Sequence, residues 1–199
     1  MRPPSRSSTL SQIVADVLRQ SIQDGVYKCG ERLVELAIAN ELSVSQNTAR
    51  DALHILEQEG WVVKRPRFGV YVREFSRSEA EELYALRIAL EQLALRWALT
   101  VMTDDALAGL RHIIREAGTF VELENGHGAR QALFTFHIAV LFIADKPQTT
   151  ELLSRIHNQC RLLENLREAH APRTTAAWRE LVAEYDQLVT QMEARHIPA

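Results

Sequence analysis

Gln46, Asn47, Thr48 and Arg50 follow Ser45 within about one and a half helical turns. Amide, hydroxyl and guanidinium groups are those that bond to base edges and phosphate oxygens of duplex DNA. A second group, Lys64, Arg65 and Arg67, shares a short stretch with Pro66 and Gly69, and from Trp61 to Arg73 there are four cations and no acid. A loop of one charge sign suits a phosphate backbone. No stretch sets a nucleophile beside a base, so no enzyme is expected.

The elements that must carry these groups follow from apolar spacing. Val34, Ile38 and Leu42 stand four apart, with Leu36 and Ala37 beside them, which predicts a short amphipathic helix. Ser43-Val44-Ser45 forms the turn, Val44 being an apolar plug and Ser45 an N-cap for a helix starting at Gln46. Ala49, Ala52, Leu53 and Leu56 make the buried stripe of that second helix, and Gly60 is placed to end it in the left-handed conformation. Trp61-Val62-Val63 and Val70-Tyr71-Val72 read as two strands of a hairpin. An earlier helix over Leu10 to Gln23 spaces Leu10, Ile13, Val17 and Leu18 on one side and stops at Gly25. Helix, turn, reading helix and basic hairpin in this order form a winged helix-turn-helix, whose second helix presents its first turns to the major groove.

Beyond a linker over 75–78, no strand pattern occurs. Ser78 with Glu81 has capping-box spacing, and helices fit 78–101, 104–124, 128–144, 148–170 and 174–195. Thr103, Asn125-Gly126-His127-Gly128, Asp145-Lys146-Pro147 and Ala171-Pro172-Arg173 mark the breaks. The expected fold is mainly α: a flexible arm over 1–9, a winged helix-turn-helix with a small β-hairpin wing over 10–74, and an all-α helical bundle over 79–199. Bundle interiors commonly hold small-ligand pockets.

The 199 residues carry a net charge of −3 and are 46% hydrophobic, an ordinary globular composition. The average conceals an asymmetry: residues 1–75 sum to +1 and residues 76–199 to −4, so any basic surface is local. The N-terminus has Pro and Ser without an apolar core, unlike a signal peptide, and no run is long enough for a membrane. Cys29 and Cys160 fall in different expected domains without partner spacing, which fits a reduced cytoplasm.

Gly30-Glu31-Arg32-Leu33, Glu35, Leu42-Ser43-Val44-Ser45, Arg50-Asp51-Ala52-Leu53, Leu56, Glu59-Gly60 and Gly69 together resemble the DNA-binding domain of GntR-type bacterial transcription regulators. Leu83-Tyr84-Ala85-Leu86-Arg87 with Leu90-Glu91, Phe136-His137, and Pro147 ahead of Glu151-Leu152-Leu153 resemble the helical effector domain of the FadR subgroup. The resemblance runs from about Leu10 to about Arg195. The family's usual Arg-Thr-Pro-Val-Arg-Glu is here Gln46-Asn47-Thr48-Ala49-Arg50-Asp51, so the first arginine is replaced and the second kept. The resemblance implies DNA contact by Arg32, Ser45, Gln46, Asn47, Thr48, Arg50, Lys64, Arg65, Arg67 and Gly69. It also implies one more helix than this chain carries, so the bundle is expected to lack its last helix, a gap that would favour dimerisation or a changed pocket.

Many relatives bind a divalent metal in the bundle through an Asp and a His one turn apart and two further His. Here His137 stands at the first His position, Leu133 at the Asp position and Tyr185 at the second His position, while the third falls past Ala199. One imidazole does not hold a zinc-type ion, so no metal or other cofactor is expected. His137 reads as a core or pocket histidine bonded to a neighbour rather than a ligand. Arg87 either pairs with Glu91 one turn along its helix or, as the family pattern implies, meets an anionic effector in the bundle. Effector contact is assigned to Arg87, Glu91, His137 and Tyr185. His157, Cys160 and Arg161 share a helix that could line the same cavity, His157 fitting surface or interhelical packing better.

The resulting expectation is a cytoplasmic, effector-responsive repressor that binds a palindromic double-stranded operator as a homodimer and senses a small organic acid. The alternative is a regulator without a ligand, its bundle serving dimerisation or protein contact. If Arg50 reads a base, Arg50→Ala weakens operator binding roughly tenfold to a hundredfold; unchanged affinity in a fluorescence-anisotropy titration would count against the assignment.

Overall fold

The computed structural model describes residues 9–195; of the arm expected over 1–9 only Thr9 is described, and residues 196–199 also lie outside. The elements run α1 (Leu10–Gln23), β1 (Arg32–Leu33), α2 (Glu35–Glu41), α3 (Gln46–Gln58), β2 (Val62–Arg65), β3 (Gly69–Val72), α4 (Arg77–Val101), α5 (Asp104–Glu122), α6 (Gly126–Ala144), α7 (Pro147–His170) and α8 (Thr175–Arg195). The fold is mainly α, with a small sheet at the wing and helices throughout the C-terminal region. Two compact units form: one holds the residues through Tyr84 together with Arg155–Arg167, the other Ala85–Ser154 together with the residues from Glu168 onward. Among the described residues no helix is long and apolar enough to cross a membrane.

In the first unit, α3 forms as its spacing requires. Ala49, Ala52, Leu53 and Leu56 are all buried. Its C-terminus closes with a Schellman pair, Gly60 N–H to the Glu57 carbonyl at 3.1 Å and Trp61 N–H to the Leu56 carbonyl at 2.9 Å, with Gly60 at φ +85°. The other two helices differ in the face they bury. On α1 the core side is Val14, Ala15, Leu18 and Ile22, while Leu10, Ile13 and Val17 are exposed. On α2 Ile38 and Leu42 of the expected stripe face the core, joined by Ala39, while Val34 and Leu36 are exposed. Apolar residues surround more than one face of each helix, so periodicity alone leaves the rotation open and packing on α3 selects it.

The hairpin pairs β2 with β3 in the register Val62↔Val72 to Arg65↔Gly69. A third strand, β1, joins the free edge of β3 through Arg32↔Tyr71 and Leu33↔Val70, giving the order β1-β3-β2. Two residues are too short a run to display alternation, and the sequence reading missed it.

The middle of α7 completes this unit from far along the chain. Leu162, 1% exposed, sits in the same apolar core as Leu18, Leu56 and Trp61. Asn158 donates to the carbonyl of Glu59, the C-cap of α3, at 3.1 Å, and Asn165 donates to the carbonyl of Gln23, the last residue of α1, at 2.9 Å. Arg161 lies between them, bonded to Gln23 Oε1 and 5.8 Å from the centre of the Trp61 ring. These residues recur at helical spacing, so one stripe of α7 supplies partners for carbonyls that helix ends leave without intrahelical donors. Cys29 and Cys160, which the sequence reading set in different domains, both fall in this unit as free thiols.

The α4 capping box is Ser76 with Glu79, two residues earlier than expected: Glu79 N–H donates to Ser76 Oγ at 3.2 Å and Ser76 N–H to Glu79 Oε2 at 2.8 Å. Glu81 pairs instead with Arg77. In the second unit α5, α6 and α8 enclose a core of Ala117, Val121, Ala129, Ala132, Leu133 and Trp178. Thr103 caps α5, Asn125 caps α6, and Pro147 is the first residue of α7, where its missing N–H costs nothing. Arg111 reaches from α5 to Asp186, Thr190 and Glu193 on α8, and Arg179 on α8 reaches back to Glu122.

Removing Leu162, nearly a hundred residues beyond the wing, destabilises the winged-helix unit: Leu162→Ala costs about 2–5 kcal/mol. Hydrogen-exchange mass spectrometry reads this as lost protection of α1 and α3 amides, and unaltered protection there would contradict the packing role.

Candidate nucleic-acid interface and effector site

The start of α3 is fixed by its own side chains. Thr48 N–H donates to Ser45 Oγ at 3.0 Å, and the two hydroxyls lie 2.8 Å apart. These hydroxyls therefore serve the helix end, and Gln46, Asn47, Arg50 and Asp51 are exposed polar groups of the first turns. Arg50 is not loose. Its Nη2 and Nε donate to Glu35 on α2 at 2.9 and 3.1 Å, and its Nη1 donates to Asn47 Oδ1 at 3.2 Å. Gln46 Nε2 donates to the same Glu35 at 3.2 Å. The Arg50 hydrogen bonds, with help from Gln46 and the positive charge of Lys64, hold the Glu35 carboxyl below its usual range. Sequence reasoning used Glu35 only as a family marker. Its signal was an acid at the first position of the helix preceding the reading helix, which a helix-dipole argument explains equally well.

In the wing, Lys64, Arg65 and Arg67 are all exposed. Arg67 sits at the hairpin tip with φ +67°, beside an exposed Phe68. Arg65 is the most committed: it pairs with Glu74 at 3.0 Å and lies over the Tyr71 ring at 4.4 Å. Glu74 is the first acid past the cation-only window. Gly69 adopts φ +110°, a conformation that favours glycine, and a Cβ there would stand 3.1 Å from Arg32 Nε, so the Arg32 guanidinium packs close over the strand start.

In the helical unit the four expected effector residues converge. Arg87 Nε donates to Glu91 Oε1 at 2.9 Å, and His137 Nδ1 meets the same oxygen at 2.9 Å. His137 Nε2 lies 2.9 Å from Arg87 Nη2 and 2.6 Å from the Tyr185 hydroxyl. Since Arg87 can only donate, Nε2 is placed to accept from it and Nδ1 to donate to Glu91. Phe136 packs edge-on against Tyr185, with ring centres 5.1 Å apart. A cavity of about 190 Å³ opens beside Glu91 and His137, lined otherwise mainly by Ile88, Leu95, Phe136 and Leu188. Arg87 thus pairs with Glu91 along its helix and also reaches His137.

Residues 10–72 match the family described as bacterial regulatory proteins, gntR family, and residues 82–197 match the FCD domain. The chain belongs to the GntR family. With its FCD domain this GntR-family chain is a transcriptional regulator of the FadR subgroup. It is 24% identical over 188 residues to the uncharacterized HTH-type transcriptional regulator YdhC of Bacillus subtilis, covering 92% of this chain and 83% of that protein. It is 26% identical over 132 residues to the gluconate operon transcriptional repressor of Bacillus subtilis, covering 66% and 54%. Its fold resembles that of E. coli McbR/YncC with a TM-score of 0.81 at 21% identity, covering 94% and 88%.

For the metal that many FCD domains hold, this GntR-family regulator has a poor set of ligands at the matching positions. Leu133 is buried among Ala117, Val121 and Trp178 and has no ligand atom, and Tyr185 offers a phenol that is already within 2.6 Å of His137. Leu133 and Tyr185 do not fit the family's ligand set.

Gly69→Ala is expected to strain the wing by about 1–3 kcal/mol and to displace Arg32. Thermal melting and duplex binding should both fall; a variant that melts and binds like the parent would remove Gly69 and Arg32 from the interface.

Proposed function

We propose that this GntR-family regulator is an effector-responsive repressor that acts in the cytoplasm and binds a palindromic operator as a homodimer. The outward display of Gln46, Asn47 and Arg50 on a capped helix, in the same unit as a wing bearing Lys64, Arg65 and Arg67, is the observation that carries the DNA-binding part. Gln46 and Asn47 read or position bases, and Ser45 and Thr48 act through the helix start. Arg50 and Arg32 hold a guanine edge or phosphate, and Lys64, Arg65, Arg67 and Gly69 form the wing contact. A locally basic surface on a chain of net charge −3 gives modest affinity per module, which pairing on two half-sites raises. Similarity to the gluconate operon repressor supports repression as the sense of control.

The effector is a small organic acid with an apolar body. Arg87 and the Tyr185 hydroxyl both stand beside His137 Nε2, a guanidinium and a phenol of the kind that bind a carboxylate. A carboxylate entering from the adjoining apolar cavity accepts from both, and Glu91 gives up Arg87 in exchange. This shift changes the helical unit and so the operator affinity of the dimer. A second reading, a ligand-free bundle used for dimerisation or protein contact, is favoured by one observation: Glu91 and His137 already provide Arg87 with partners.

Anisotropy titrations against the regulator's own upstream intergenic DNA and a scrambled duplex, at two salt concentrations, test the first part; a repressor prefers the upstream DNA and loses affinity steeply with salt. Thermal melting with a panel of small carboxylic acids tests the second. Stabilisation by one of them, abolished in Arg87→Ala, supports the acid effector, whereas a flat response across the panel favours the ligand-free reading.

A further inference from the structure

We propose that Glu35 is a positioning residue for DNA recognition: its carboxylate holds the Arg50 guanidinium in the orientation from which Arg50 reads a base. The inference rests on the assignment of Arg50 as a base-reading residue and adds to it a partner on a different helix.

An arginine reads guanine with two N–H groups of its planar fork, and a long flexible side chain must be immobilised to do so. In this regulator the immobilisation exists without DNA. Glu35 receives Arg50 through Nη2 at 2.9 Å and Nε at 3.1 Å, an edge-on fork that fixes the plane of the guanidinium. Asn47 takes Nη1 at 3.2 Å from the same helix, and each terminal nitrogen has a second hydrogen to offer. Glu35 itself is anchored. It is the first residue of α2, whose backbone is held by the burial of Ile38 and Ala39, and Gln46 bonds to its carboxylate from the first turn of α3.

The charge of Glu35 has the wrong sign for a DNA surface, and that makes its role testable. As a negative charge near phosphates it weakens binding to every sequence equally; as a buttress it strengthens binding only where Arg50 finds its base. The two effects have opposite signs on the preferred site. Replacing the carboxylate therefore separates them, and Glu35→Asp separates them again by retaining charge while withdrawing the oxygens from the fork.

The experiment selects a preferred duplex from a random-sequence library with the parent protein. Parent, Glu35→Gln, Glu35→Asp and Arg50→Ala are then titrated by fluorescence anisotropy against that duplex, its single-base-pair variants and a scrambled duplex. Both Glu35 variants are expected to lose roughly threefold to tenfold on the preferred duplex. They should lose discrimination at the base pair where Arg50→Ala loses it, with scrambled-duplex binding unchanged for Glu35→Asp and unchanged or tighter for Glu35→Gln. Discrimination at one base pair is a readout that a general loss of fold would not isolate. Equal or tighter binding of Glu35→Gln to the preferred duplex, or parent-like discrimination by Glu35→Asp, overturns the positioning role while leaving Arg50 in place. If Arg50→Ala discriminates as the parent does at every position, the base-reading assignment itself fails and the inference falls with it.

Discussion

The burial of Ala49, Ala52, Leu53 and Leu56 sets the rotation of α3 about its own axis, and the rest of the DNA-binding unit is organised around that constraint. Two of the four are alanines with no exposed surface, which lets α1 and α2 approach the reading helix closely. With those positions inward, helical geometry leaves Gln46, Asn47 and Arg50 facing out. The Schellman closure at Gly60 then turns the chain into Trp61, a fully buried residue that roots the wing in the same core. A substitution in this stripe would therefore shift both contact elements together.

Charge within the unit is arranged to spend cations selectively. Arg19 is bound by Glu59 and Asp16, and Arg65 by Glu74, so these two serve the fold as well as the surface. Lys64 and Arg67 are exposed cations of the wing, and Arg50 is both exposed and bridged to Glu35. Exposed pairs of this kind contribute little to stability, so their value lies in fixing where a flexible side chain points. The same logic holds in the helical unit, where Arg87, Glu91, His137 and Tyr185 bond one another around a single imidazole beside an apolar cavity.

Much of this was legible in the residue order. The N-cap at Ser45, the stripe of α3, the left-handed Gly60, the hairpin and the cap at Thr103 all depend on residues within a few positions of one another, where sequence spacing is spatial spacing. So, by resemblance, was the grouping of Arg87, Glu91, His137 and Tyr185 at one site. The buried faces of α1 and α2 and the capping box of α4 were less legible, because each offered two spacings of equal quality. The rotation of α1 was decided only when Val14, Leu18 and Ile22 met α3 and the wing.

The sequence by itself determined the succession of helices, the winged helix-turn-helix and the residue types at its surface, since local periodicity and capping chemistry suffice for these. Only the tertiary structure decided which distant groups meet. Glu35 and Arg50 are separated by 15 residues, His137 and Tyr185 by 48, and Asn158 and Glu59 by 99. No local rule links such pairs, because their approach depends on loop closure and packing summed over whole helices. The incorporation of Leu162 into the winged-helix core has the same origin: an apolar residue on a long helix announces that it will be buried, and only the folded chain determines against what.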